Sequence, residues 1–533
     1  MIKTRLRCFK EQETRRLFLI LLGGKMAGVV SVLGIIKGFA WYFEAHAGAA
    51  PLQVVVPGAD TLVNPVNTIW VLVTAFLVFF MQAGFMALEA GFARSRETVN
   101  VLLECIVDTC LCGLLYWAFG FAFHFGVGNG LIGHEFFFLH GAPATYGSSG
   151  VAFMAFWLFQ FAFVDTCSTI TSGAMVGRTG FKGDILYSIA VSGFIYPIFG
   201  HWVWGPGGWL GNMTVGSLST FTNGAVFRDF AGSTVVHTVG GFIALMGAIA
   251  LGPRLGRKFK RDGGGPLPPH DLTMGAIGTV ILWFGWYGFN PGSTLSAIDF
   301  EGIGRVATNT TLAACAGGLM AMFWVYPRSK KWDLGMTCNG LLGGLVAITC
   351  PCYWVSPGGA VLIGMVAGIV VPIGVDFLEH LRVDDPIGAV AVHGFAGIWG
   401  TLSLGLFATG GFGIPTPNGV DTTTVVKGLF YGGGLDQLKA QLIGSITCVI
   451  VISTVAFLVF KAVAATKTLR VSHDGELEGI DMHEHGTHSY HMEFGQGFSY
   501  TSLGSTSLGL GQHDDIEEAN EGPPAEPAET TSV

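Results

Sequence analysis

The chain has 533 residues, half of them hydrophobic, and only 12% carry charge. A soluble protein of this length would carry about 25% charged residues, and the mean hydropathy here is +0.55. A water-soluble globular protein is therefore excluded, a multi-pass protein of the lipid bilayer is expected, and at a net charge of −8 no nucleic-acid partner is expected.

Residues 1–66 read as a separate N-terminal region. Arg5, Arg7, Lys10, Arg15 and Arg16 precede an apolar run from Leu17 to about Ala50. Ala45-His46-Ala47 fits a signal-peptidase site, so one reading is a signal peptide with an extracellular lead. The length of the run, with Lys25 and Lys37 inside it, keeps an uncleaved extra helix as the other reading. Either reading puts the start of the following core outside.

The membrane domain is expected over residues 67–465. A helix needs about 20 apolar residues to span the bilayer. Eleven such stretches occur, roughly at 67–93, 99–125, 152–176, 184–204, 230–252, 271–290, 303–326, 335–355, 359–379, 387–409 and 436–463. Arg94, Arg96, Arg178, Lys182, Arg254, Arg257, Lys258, Lys260, Arg261, Arg328, Lys330, Lys331, Arg382, Lys467 and Arg470 fall in alternate loops. The positive-inside rule then sets the core N-out and C-in. The ten cysteines form no Cys-x-x-Cys pair and read as buried, inert thiols. No nucleophile–base set and no metal-ligand motif occurs, so neither an enzyme nor a cofactor is expected.

Residues 466–533 read as an acidic cytoplasmic tail, disordered after about residue 495. After Arg470 it holds 13 acidic residues and no Lys or Arg. Arg470, Asp474, Glu476 and Glu478 are expected to pair with the basic loops at 254–261 and 328–331. His473, His483, His485, His488 and His491 fit no strong metal motif and read as a solvated polar segment.

Two histidines carry the functional signal. His237 follows Asp229 by eight residues, and His393 follows Asp385 by eight. Ionisable groups at membrane depth are costly and mark a substrate or proton path. Each aspartate can cap the start of its helix, and asparagine at 229 is expected to keep such a cap. Eight helical residues carry each histidine about 12 Å inward. One descends from outside and the other rises from inside, so both approach the midplane, as in inverted repeats. The glycines and alanine that follow, Gly240, Gly241, Ala396 and Gly397, permit a close helix crossing. A lone membrane histidine is often only a hydrogen-bonded packing residue. For two with paired aspartates that reading is weaker.

These residues resemble the ammonium transporter (Amt/Mep/Rh) family, specifically its Amt branch. Matching stretches are Asp229 to Arg254, Gly285-Trp-Tyr-Gly-Phe-Asn-Pro-Gly-Ser293, Arg382-Val-Asp-Asp-Pro386 and His201-Trp-Val-Trp204. The resemblance covers roughly residues 65–490. It implies an all-α polytopic fold of eleven transmembrane helices, two inverted five-helix repeats plus a final helix. It further implies a homotrimer in the plasma (inner) membrane, with one pore per subunit.

By the same resemblance, ammonium/ammonia is the substrate. Trp204 offers an aromatic face at the outer mouth, and Ser293 accepts a hydrogen bond there. Phe163 closes that binding site and, with Phe289, forms a stacked gate. His237 and His393 form the pore pair, and Asp229 and Asp385 support it. A cytoplasmic face able to dock a PII-type regulatory protein is also implied. An ammonium sensor signalling through its tail is the alternative function, and an Rh-like gas channel is disfavoured by Trp204. One departure stands out: Val176-Gly177-Arg178 replaces the family's frequent Ala-Glu-Arg.

Overall fold

Long apolar runs become long helices in the computed structural model, which describes residues 60–416, 419–421 and 425–490; Pro65, Pro291, Pro327 and Pro372 are carried inside such helices. In chain order the helices are α1 (Leu62–Phe92), α2 (Thr98–Phe125), α3 (Phe153–Gly173), α4 (Phe181–Asn212), α5 (Ser233–Leu251), α6 (Leu272–Gly292), α7 (Phe300–Ser329), α8 (Leu334–Thr349), α9 (Pro357–Leu381), α10 (Val390–Phe407) and α11 (Asp436–Ala465). Among the described residues, ten are long and apolar enough to cross a membrane, while α8 is apolar but has 16 residues. The stretch expected to span 335–355 stops early, at Thr349, because Pro351 has no N–H to donate to the Ala347 carbonyl and so cannot continue the helical hydrogen-bond ladder.

The all-α expectation needs one addition. Two short antiparallel hairpins occur in the loops, β1 (Thr145–Tyr146) with β2 (Val151–Ala152) and β3 (Ile414–Thr416) with β4 (Gly419–Asp421). The helix α1 also begins before residue 67. The signal-peptide or extra-helix reading of the first 59 residues lies outside the described residues. So does the disorder expected after about residue 495.

Side-chain caps fix several helix starts. Asp271, Asp299 and Asp333 accept from the backbone N–H of Met274, Gly302 and Met336, opening α6, α7 and α8. Ser356 does the same for α9, with Pro357 at the first helical position. Small residues then let the backbones touch. A β-carbon at Gly364 would lie 2.3 Å from the Ala313 carbonyl oxygen, so α7 and α9 meet without side chains between them. Seven of the nine cysteines among the described residues are buried, but Cys110 and Cys315 face outward, so the expectation of buried thiols fails for those two.

After α11 the chain folds back as α12 (His473–Glu478) and α13 (Ile480–His485). Arg470 donates to the carbonyls of Leu251 and Pro253 and to Glu476. Glu476 also accepts from the Leu255 N–H at 2.9 Å, and Asp481 from the Asn100 N–H at 2.9 Å. Glu478 pairs with His483 and Asp474 with His473. The expected pairing with the basic loop at 254–261 is made by Glu476, through the Leu255 N–H and not through the loop's basic side chains. Arg254 is held by Asp384, Arg257 by Glu379 and Asp384, and Lys260 by Asp376. The tail acids bind backbone groups or tail side chains instead.

Candidate functional site: a column of aromatic rings and two imidazoles

The two aspartate–histidine segments fold alike. Asp229 accepts from the N–H of Gly232 through Oδ1 and from Thr234 and Val235 through Oδ2, at 2.8–3.0 Å. Asp385 accepts from Ala389 at 3.0 Å and Val390 at 2.9 Å. Both lie ahead of their helices, so the first four residues of each eight-residue spacing are not helical. The expected 12 Å, counted on a continuous helical rise, therefore does not apply to these segments. Gly232 and Gly388, at φ +116° and +83°, make the turns that let each carboxylate face its helix start. Burial raises the Asp229 carboxyl above the usual range against its backbone donors. It pushes Asp385 up to about 6.

Each histidine then sits in a widened π-helical turn, Ser233–Thr238 or Val390–Phe395. The His237 N–H reaches back five residues to the Gly232 carbonyl. Such turns are frequent at functional sites, although two others, Tyr116–Gly120 and Val191–Ile195, lie away from these histidines in the sequence. The helices α5 and α10 cross at the expected small residues: a β-carbon on Gly241 would lie 2.3 Å from the Gly394 nitrogen. This close crossing brings the imidazoles together, Nδ1 to Nδ1 at 3.2 Å. One ring donates and the other accepts, so the pair carries one shared proton between those atoms. Both rings are buried, and His237 Nε2 has no protein partner among the described residues.

Phe289 on α6 lies 5.5 Å from the His237 ring, centroid to centroid, and Phe163 on α3 stacks on Phe289 at 4.0 Å. Trp204 meets Phe163 edge-on at 6.2 Å. Its indole N–H donates to the Asp229 backbone carbonyl at 2.7 Å, which fixes the ring over a vestibule of about 410 Å³. That vestibule is lined by Trp204, Phe163, Asp229 and Ser293, among others. The Ser293 hydroxyl donates to the Phe289 carbonyl at 2.8 Å, leaving its oxygen lone pairs to accept. All eight residues singled out in the sequence thus lie along one path or cap its helices.

Two groups on this path carried no assignment from sequence. Trp286 stacks on His237 at 5.2 Å and anchors itself on Thr349 through its N–H at 2.9 Å. Glu89 shares a small cavity with His393 on the other side of the imidazole pair. The signal for Glu89 was present, since a carboxylate inside an apolar run is the same signal that marked the histidines.

The Gly177 departure has a local cause. Gly177 has φ +83°, and a β-carbon there would lie 2.5 Å from the Glu97 carboxylate. Glu97, paired with Arg94, occupies the space that a longer residue at 177 would need.

The doubled caps predict a stability effect. Both Asp229 oxygens accept N–H groups, so Asp229→Asn would turn an amide donor toward backbone donors. The cap expected to survive that change is therefore lost in part. Asp229→Asn should cost about 1–3 kcal/mol, and Asp229→Ala more. Thermal unfolding in detergent checks the order, and equal melting of wild type and Asp229→Asn would contradict it.

A bundle of apolar helices around a narrow column with ionisable groups at its centre defines a helical membrane transport protein. The sequence model of the Ammonium Transporter Family matches residues 69–490, and the chain belongs to that family. Ammonium transporter Amt2 of Archaeoglobus fulgidus is 42% identical over 452 residues, covering 84% of this chain and 92% of that protein. Ammonium transporter 1 member 3 of Solanum lycopersicum is 37% identical over 443 residues, covering 81% and 94%. Among solved structures, one named Sensor Amt Protein superposes at a TM-score of 0.71 with 34% identity, over 80% of this chain and 100% of that one. Saccharomyces cerevisiae Mep2 gives 0.69 with 28% identity, over 78% and 90%. Ammonium transport is the activity that this membership supports.

Proposed function

We propose that the column from Trp204 to His393 conducts ammonia after stripping a proton from recruited ammonium. The observation that carries this reading is the unbroken succession of contacts from the vestibule through the stacked Phe163–Phe289 pair to the bonded imidazoles. Ammonium at the vestibule gains cation–π attraction from Trp204, closed below by Phe163, and a hydrogen bond to the Ser293 oxygen. The stacked phenylalanines disfavour a hydrated ion. Neutral ammonia crosses this apolar bore at low cost, and the imidazole pair can accept and donate along the way. Asp229 holds Trp204 and the α5 start in place without touching substrate, and Asp385 does the same for α10.

The finer architecture belongs to the same proposal. The chain has eleven membrane helices in two inverted five-helix repeats plus α11, oriented N-out and C-in by the basic loops. It lies in the plasma (inner) membrane as a homotrimer with one path per subunit. The membrane domain is followed by an acidic cytoplasmic tail. The tail-bearing face is where a PII-type regulator would dock.

Methylammonium uptake in cells lacking their own transporters tests the function. Wild type should restore saturable uptake competed by ammonium. Trp204→Leu should weaken apparent affinity by a cation–π share of about 0.5–2 kcal/mol, roughly 2- to 30-fold, and blur discrimination against K⁺. Unchanged affinity and selectivity would return Trp204 to a packing role, and absent wild-type uptake would remove the transport reading.

A further inference from the structure

Beyond the imidazole pair lies a cavity of about 20 Å³, lined by His393, Glu89, Asn339, Ile170, Leu342 and Val392 among others. About 10–15 Å³ of such space is needed to hold one water. The chamber therefore admits a single molecule the size of water or ammonia. It shares Asn339, Ile387 and Gly388 with a basin of about 820 Å³ on the tail side, so it is the last narrow point before that basin. Apart from His393, its polar side chains are Glu89 and Asn339. The Asn339 amide is committed to the Ile387 carbonyl at 3.1 Å.

Glu89 is buried and makes no ion pair among the described residues. Its side-chain contact is with the Ser172 hydroxyl, Oε2 to Oγ at 3.2 Å. Ser172 Oγ also lies 2.8 Å from the Thr169 carbonyl. A serine hydroxyl has one proton to give and two lone pairs to accept with. The carbonyl can only accept, so it takes the serine proton at the shorter distance. The contact with Glu89 is then satisfied when Glu89 itself donates, as a neutral carboxylic acid. An unpaired carboxylate at this depth would also be costly. The carboxyl thus stores a proton, and Glu89 lines the one-molecule chamber together with His393.

We infer that Glu89 is the group that returns the proton to ammonia on the tail side of the pore. This rests on the proposed reading of the column as an ammonia path. In the vestibule ammonium gives ammonia and a proton, and the proton moves through the His237–His393 pair. In the chamber the Glu89 O–H bond breaks and an N–H bond forms, leaving a carboxylate and ammonium. The ammonium leaves through the basin, and the next proton arriving through His393 restores the acid. Each cycle moves one nitrogen and one charge, and no other reactant is needed.

The test is the ratio of charge to substrate in proteoliposomes, from ammonium-evoked current and labelled methylammonium uptake on the same preparation. Glu89→Gln keeps the shape, and its amide can still donate to Ser172, so the fold should hold. It should lower the charge moved per substrate at least tenfold while uptake persists. Glu89→Asp should recover part of the charge. A wild-type ratio in Glu89→Gln would overturn the inference, as would a proportional loss of both signals, which marks a structural role. Wild-type uptake without charge would overturn it too while leaving the transport reading intact. Neither signal in wild type would sink that reading itself.

Discussion

His237→Ala and His393→Ala should each cut methylammonium uptake by on the order of tenfold or more, about 1.4 kcal/mol or more of added barrier. The rings bond Nδ1 to Nδ1 at 3.2 Å, so removing either one leaves the other a buried imidazole with a broken partner. His237 also supports the aromatic column, because Trp286 and Phe289 both pack against its ring. Loss of His237 should therefore disturb the gate as well as the relay, and it should be the more damaging of the two. The proteins should still fold, since the π-turn around each histidine is held by backbone bonds and by the Asp229 and Asp385 caps. Size-exclusion profiles matching wild type would establish that. Wild-type uptake by both variants would remove the imidazole pair from the pathway.

The second large effect is expected at the tail-side end of α5 and α9. Arg254 holds Asp384 through two side-chain bonds at 2.9 and 3.0 Å and a backbone N–H at 3.0 Å. Arg257 reaches the same carboxylate, and Arg178 donates to the Asp384 carbonyl at 2.7 Å. Burial would raise the Asp384 carboxyl, but the Arg254 bonds and charge, with Arg178 beside it, outweigh burial. They hold it well below the usual carboxylate range.

Asp384→Ala leaves Arg254 a buried, uncompensated charge, and breaking a buried pair from one side costs about 3–5 kcal/mol. A sharp fall in detergent melting temperature should follow. Arg254→Met combined with Asp384→Leu should recover part of the loss. The pH dependence has a defined sign. Because the folded carboxyl is depressed, its stabilisation is complete above the unfolded value of about 3.9 and is lost as pH falls below it. Wild type should therefore lose melting temperature below about pH 4 more steeply than Asp384→Ala does. Parallel acid profiles would contradict this assignment.

The sequence exposed the caps and the crossing because each depends on residue type. Asp229 and Asp385 can only cap where they stand, and the small residues after each histidine allow backbone contact. Phe163 and Phe289 were legible only through the motifs around them, since 42 phenylalanines give no composition signal for two. The π-turns were not legible at all. They arise from a five-residue backbone hydrogen bond that no side chain announces, and they shift the histidines from positions counted on a regular rise.

The tail pairings were legible only in part, since Glu476 does reach the 254–261 loop, but at the Leu255 N–H. Net charge tells which groups attract, but Asp384, Glu379 and Asp376 reach the basic loop and leave the tail acids to other partners. Glu89 was legible in principle. It breaks the apolar pattern of α1, and its meaning came from the fold setting it against the His393 chamber.

The account turns on passage of substrate along the column, and labelled methylammonium accumulation in proteoliposomes of the purified protein measures it most directly. Wild type should accumulate label above protein-free vesicles, with ammonium competing and K⁺ not, and His393→Ala should fall toward the protein-free rate. Binding of ammonium with accumulation no greater than in protein-free vesicles would contradict the account and make the chain a receptor.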